Sequence, residues 1–274
     1  MKLSVVIAGA DAPPSAFVVW RGFEESIQKA SDFGYHGVEL ALKSADDIDP
    51  EKLSRWLSAN RMEVSAISTG LVFAESNLYF THPDPAARRR VIEVFTGLIY
   101  LAKNFGRLIN VGRARGFIGA GQKAAEAEIL FLETMQQLCD IAAKDAVTIV
   151  VEPVNRYEIN FINSSEDGAE LIKKVKRPNT GLMPDVFHMN IEDAKIGATL
   201  ARLGSQIKYV HLADSNRHAP GQGHLDFDNV FDGLKKAGFK GWAAIEILPL
   251  PDADTAARQA ADYILPLIEK YNFN

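Results

Sequence analysis

Residues 148–158, TIVVEPVNRYE, carry a short β-branched run that ends on Glu152 and a proline. The arrangement recurs downstream: GLMP precedes Asp185, IKYV precedes His211 and WAAI precedes Glu246. Short apolar runs of this kind read as buried strands. Three carboxylates and an imidazole are the donors of a divalent ion that prefers oxygen and nitrogen. The four residues lie far apart in sequence, so the fold has to gather them. A ring of parallel strands with its C-terminal ends on one face does that, and it is where such barrels keep their catalytic residues.

Outward from these runs, strand-like and helix-like stretches alternate eight times. LSVVIAG precedes RGFEESIQKASDFG, GVELAL precedes DPEKLSRWLSAN, and EVSAIST precedes a long helix from about Asp84 to Phe105. Pro85 suits that helix's first turn, and Val91, Phe95, Leu98, Ala102 and Phe105 mark its apolar stripe. LINVG precedes a helix from about Gln122 to Lys144, and TIVVEPV precedes EDGAELIKKV. GLMPDVFHM precedes IEDAKIGATLARL, IKYVHLAD precedes FDNVFDGLKKAG, and WAAIEIL precedes a last helix from about Thr255 to Tyr271. Alternating β and α with apolar strands means a parallel sheet. Eight such units in 274 residues favour an α/β fold of a single (β/α)8 barrel spanning residues 1–274. An open doubly wound sheet would need a phosphate fingerprint after an early strand. The nearest approach, Gly116 to Lys123, has its lysine one position late and no Ser or Thr after it, and reads as a loop.

The net charge of −5 argues against a mainly electrostatic grip on nucleic acid or anionic lipid. The lone Cys139 allows no internal disulfide, which suits a reducing cytoplasm. No run approaches the ~20 apolar residues of a membrane span.

Further chemistry clusters at the same strand ends. Asp185 and His188 form D-x-x-H, and His211 and Asp214 form H-x-x-D. Asp214 is expected to orient a ligand residue rather than to bind an ion itself. The loop DSNRHAPGQGHLDF presents Arg217 toward the barrel mouth, where it suits substrate binding, while His218 and His224 read as loop residues. Phe17, Val18 and Trp20 form an apolar segment that either covers the substrate or docks a helix. NVGRARG places Arg113 and Arg115 near the mouth, and Arg115, beside Gly116, is the favoured binder of a substrate carboxylate. The alternative for both arginines is pairing with surface acids.

VEPVNRYE, DVFHMN, HLADSNR, PGQGHLDF and the final IEI together resemble the ketose 3-epimerase group, which acts on D-tagatose, D-psicose and L-ribulose, within the xylose isomerase-like barrel superfamily. A THPD segment, FHMN, ADSNR and an LPLP tail are similar to a branch associated with the keto-sugar acid 5-keto-L-gluconate. The resemblance implies one divalent ion, Mn²⁺ with Co²⁺ or Mg²⁺ as alternatives, held by Glu152, Asp185, His211 and Glu246. It implies Glu152 and Glu246 as the acid/base pair that inverts C3 through a cis-enediolate. It also implies Glu158, His188 and Arg217 as the groups that hold substrate hydroxyls, and a homodimer or homotetramer. An aldose–ketose or hydroxypyruvate-type isomerase shares the scaffold. A nuclease of the endonuclease IV type would need further His and Asp ligands, and Ser68-Thr69-Gly70 and Val111-Gly112 offer none.

Overall fold

The computed structural model describes residues 1–273. Nine strands pair in one parallel sheet: β1 (Lys2–Ala8), β2 (Trp20–Arg21), β3 (Gly37–Ala41), β4 (Glu63–Ser68), β5 (Leu108–Val111), β6 (Thr148–Val151), β7 (Thr180–Leu182), β8 (Tyr209–Leu212) and β9 (Trp242–Ile245). β2 pairs only with the end of β1. The other eight run in the order β7-β6-β5-β4-β3-β1-β9-β8. The ends of that order meet through two isolated bridges, Leu182 with Ile207 and Asp185 with His211. There the Lys208 N–H donates to the Leu182 carbonyl at 2.9 Å and the His211 N–H to the Pro184 carbonyl at 3.0 Å. The ring is thereby closed.

Around it lie helices α1 (Phe23–Asp32), α2 (Pro50–Asn60), α3 (Gly70–Ser76), α4 (Pro85–Ala102), α5 (Ala124–Ala143), α6 (Ser165–Val175), α7 (Val186–Glu192), α8 (Ile196–Leu203), α9 (Phe227–Lys236) and α10 (Ala253–Lys270). Caps set several of their starts. Asp84 accepts from the Ala86 N–H at 2.8 Å ahead of Pro85, and Ser164 with Asp167 forms a capping box. None of these helices is long and apolar enough to cross a membrane.

Strand pleating separates two cores. Leu3, Val5 and Ile7 of β1, Val38 and Leu40 of β3, and Val210 and Leu212 of β8 face outward into the shell beneath the helices. Val6, Ala8, Ala41, Val150, Tyr209 and Ala244 face inward and fill the barrel with Met183. Side chains alternate with period two along a strand, so the next inward position above Val150 is Glu152, above Tyr209 is His211, and above Ala244 is Glu246. On β6, β8 and β9 the apolar fill stops one pleat below the mouth, and the carboxylates and imidazole begin there.

The expected alternation holds, with three differences. The stretch after β7 forms two helices instead of one, because Asp185 caps α7 directly and the chain breaks at Asp193 to Lys195. The close packing of α8 on α9 then relies on Gly197, where a Cβ would lie 2.3 Å from the Asn229 carbonyl oxygen. The short strand β2 and the short helix α3 were not expected, being only two and seven residues long.

Candidate metal centre and its cavity

Glu152, Asp185, His211 and Glu246 converge as expected, with one ligand atom from each lying within 4.8 Å of the others. The His211 Nδ1 sits 3.6 Å from Glu152 Oε1 and 3.7 Å from Glu246 Oε1. Asp185 divides its carboxylate: Oδ1 accepts from the Phe187 N–H at 2.8 Å, and the buried Oδ2 has no hydrogen-bond partner. His211 Nδ1 is likewise buried and unpartnered. Buried polar atoms are rarely left orphaned. Two buried, unpartnered polar atoms aimed into a carboxylate cluster mark a cation's place, and the donor set fits a divalent ion.

Each glutamate also divides its oxygens. Glu152 Oε2 accepts from Asn110 Nδ2 at 3.3 Å, and Glu246 Oε2 accepts from Arg217 Nη2 at 2.8 Å. Gly112 makes room for Glu152, since a Cβ there would meet its Oε2 at 2.6 Å. Arg156, four residues after Glu152, pairs with Glu192 at 2.7 Å.

Without a cation these charges strain one another. Burial and the neighbouring Glu246 charge push the Asp185 carboxyl up to about 7. Burial likewise raises Glu246. Burial acts upward on Glu152 too, but the nearby His211 charge brings it down to about 2. Burial disfavours charge on His211, yet Glu39, Glu246 and Glu152 hold its pKa well above the usual imidazole range.

A cavity opens above the cluster, lined in part by Phe17, Arg113, Glu158, His188, Arg217 and Glu246. Asn155 Oδ1 accepts from the Tyr157 N–H at 2.9 Å, which turns its amide NH₂ to His188 Nδ1 at 2.7 Å. His188 Nδ1 is then the acceptor and Nε2 carries the proton. Burial lowers the His188 pKa to about 3, so the ring is a neutral donor toward the cavity. Its Nε2 lies 3.9 Å from Glu152 Oε1 and 3.7 Å from Asp185 Oδ2.

Arg217 is buried, bridges Glu158 at 2.9 Å and Glu246 at 2.8 Å, and lies under the Phe17 ring with 3.5 Å to its centroid. Its backbone adopts φ 61, a left-handed conformation costly for a non-glycine residue. The Asp214 carbonyl accepts its N–H at 2.8 Å, and its own carbonyl accepts the Leu248 N–H at 2.8 Å. These two bonds hold it there.

Three expectations need correction. Arg115 does not face the cavity: it is fully buried, and its guanidinium donates to the carbonyls of Phe161 (2.9 Å), Gly112 (2.9 Å) and Ile162 (2.8 Å). It pins the loop after β5 to the loop after β6, and Arg113 is the arginine that lines the cavity. Asp214 orients no ligand residue. Its carboxylate accepts the N–H groups of Ser215, Gly221 and Leu225 at 2.7, 2.8 and 3.1 Å and so shapes the loop. Trp20 leaves the lid segment: its indole donates to Asp254 at 2.7 Å and packs edge-on against Phe33, whereas Phe17 and Val18 line the cavity. Sequence reasoning missed Asn110, Asn155 and Glu39. The signal for Glu39 was present, a lone acid in the apolar run GVELAL at an inward pleat position.

Similarity to known proteins agrees with this geometry. A family model described as xylose isomerase-like TIM barrel matches residues 27–267. An L-ribulose 3-epimerase of Methylomonas sp. is 31% identical over 223 residues, covering 80% of this chain and 76% of that protein. A ketose 3-epimerase of Arthrobacter globiformis is 28% identical, covering 82% and 77%. The crystal structure of a Methylomonas sp. D-allulose 3-epimerase in complex with D-allulose superposes with a TM-score of 0.83 at 23% identity, over 97% of this chain and 96% of that one.

Two outcomes follow from the site. Arg115→Ala removes three hydrogen bonds from a buried guanidinium and the tie between two loops, so it lowers stability by about 3 kcal/mol in denaturant unfolding. The second concerns pH. The raised Asp185 pKa means that the metal-free fold gains from its protonation below the ordinary value of 3.8, and loses that contribution as pH rises through about 7. A cation must displace this proton, so its affinity falls as pH drops below about 7. Chelator-competition titrations on either side of that pH measure the drop, and the metal-induced rise in Tm shrinks with it. In its barrel, its site and its sequence, the chain belongs to the xylose isomerase-like TIM barrel family, among the relatives of the ketose 3-epimerases.

Proposed function

We propose that this chain is a divalent-metal-dependent isomerase that inverts C3 of a ketose, or the equivalent carbon of a keto-sugar acid. One observation carries the reading. Two glutamates from strands separated by β7 and β8 each turn one oxygen to a shared cation site while lining the same cavity. The donor set supports Mn²⁺, with Co²⁺ and Mg²⁺ as candidates that metal-reconstitution assays separate. When bound, the ion supplies Lewis-acid stabilisation of the negative charge that develops on neighbouring substrate oxygens.

The chain's own residues do the rest. One glutamate takes the proton from C3, and the other returns a proton from the opposite face, which inverts the centre. Each such group contributes ~10²–10⁴-fold. Arg217 fixes the Glu246 carboxylate, and Asn110 fixes that of Glu152. The neutral His188 Nε2–H donates to a substrate oxygen, and Glu158, ion-paired with Arg217, accepts from a hydroxyl. Phe17 and Val18 close the cavity to water on the β1 side. A single base would return the proton to the face it came from, which is why two glutamates point to epimerisation.

Glu152→Gln and Glu246→Gln keep the shape and remove the base, so each lowers turnover by at least ~10²-fold. In D₂O, the wild-type enzyme should place deuterium at C3 of a ketose. Label at C1 instead would mark an aldose–ketose isomerase, and no exchange with any ketose or keto-sugar acid would overturn the reading.

Arg113 supports the sugar-acid branch of the proposal. It lines the cavity with its guanidinium over the Phe73 ring, 5.7 Å from the centroid. A carboxylate at the far end of the substrate would find a bidentate partner there. Arg113→Ala then raises KM for a keto-sugar acid roughly 10- to 150-fold, as expected for a charge-assisted contact of ~1.5–3 kcal/mol, with little change for a neutral ketose. Equal effects on both would return free ketoses to the front.

A further inference from the structure

We propose that Glu39, supported from below by Tyr209, is a positioning residue of the cation site, holding His211 in the one tautomer and orientation that can serve as a ligand. The inference rests on the metal-dependent reading of the site.

Glu39 stands on β3, separated from β9 by β1 alone, and is fully buried. Both of its oxygens face His211 Nε2, at 2.9 and 3.2 Å. An ionised carboxylate only accepts, so Nε2 must carry the proton. In the neutral ring that can bind a cation, the lone pair then belongs to Nδ1, the atom left without a protein partner and aimed between Glu152 and Glu246. A ring turned over, or protonated on Nδ1, would present N–H to the cation. Nothing else named at the site prevents that turn.

Glu39 itself rests on a polar floor. The Tyr209 hydroxyl lies against it, with the Tyr209 ring edge-on to His211 at a centroid distance of 5.8 Å. That hydroxyl bonds Ser65 Oγ at 2.6 Å and Ser4 Oγ at 3.2 Å, and Ser65 Oγ donates to Ser4 Oγ at 2.8 Å. The interior of such a barrel is ordinarily filled by branched apolar side chains. A carboxylate buried there is costly and is retained where it is paired and needed. A carboxylate behind a ligand histidine fixes ring and tautomer, and its loss typically weakens metal binding 10- to 100-fold.

The test measures Mn²⁺ affinity of metal-stripped protein by competition with a chromophoric chelator, alongside the Tm of the same metal-free protein. Glu39→Gln should weaken Mn²⁺ binding 10- to 100-fold, more than any change in the metal-free Tm accounts for. Tyr209→Phe keeps the ring and should weaken binding less, by a few-fold. It also serves as the deciding variant if Glu39→Gln does not fold. Nitrogen-15 NMR of His211 in the Zn²⁺-loaded protein should report a proton on Nε2 with Nδ1 as the ligand in the wild type, and the loss of that pattern in Glu39→Gln. Wild-type affinity in both variants, or a loss of affinity that merely tracks a loss of metal-free stability, overturns the inference. Absence of Mn²⁺ binding by the wild type instead overturns the metal-dependent reading beneath it.

Discussion

Three carboxylates crowd around one imidazole in a pocket withdrawn from water, and their mutual repulsion has to be met by positive charge. Much of the upper barrel can be understood as an answer to that requirement. Arg217 is buried beside Glu246 and Glu158 in a strained backbone conformation, and Phe17 and Phe187 cover its faces so that the charge stays directed at the acids. A divalent cation among the four would meet the remaining deficit. Burial and the neighbouring acids raise Asp185, and burial raises Glu246, while the nearby His211 lowers Glu152.

The same crowding explains why so many oxygens are divided between two tasks. Asp185 caps a helix with one oxygen and faces the cluster with the other. Glu152 and Glu246 each give Oε1 to the centre and Oε2 to a fixed donor. A carboxylate tied at one oxygen loses its freedom to rotate, so the other is presented in a single direction. This preorganisation is what an acid/base pair needs if protons are to move on two defined faces of one carbon.

The fold and the cluster were legible because both are written with short periods. Strand runs ending on a ligand-type residue fixed Glu152, Asp185, His211 and Glu246, and strand pleating carries those residues inward with no further information. What escaped the sequence depends on pairings with no local signature. Glu39 reads as one acid in an apolar run until the ring lets it reach His211 of β8 through the barrel interior. Arg115 and Arg113 are two residues apart and look alike, yet one is consumed by carbonyls of a loop about fifty residues away while the other lines the cavity. Asp214 has ligand-like spacing from His211 but turns to the N–H groups of its own loop, a preference set by Gly221 and Gly223 rather than by the motif.

The barrel's seam has a consequence of its own. Every neighbouring pair of strands is joined by a ladder except β7 and β8, which touch through two isolated bridges, one of them between Asp185 and His211. Glu152 and Asp185 lie on one side of that seam, His211 and Glu246 on the other. An ion bound by all four is therefore a clasp across the weakest line of the cylinder, joining parts of the chain that strand pairing leaves loosely tied. In such a design the reactive centre doubles as the closing stitch of the fold, and loss of the ion would be felt first as a loosening of the wall itself.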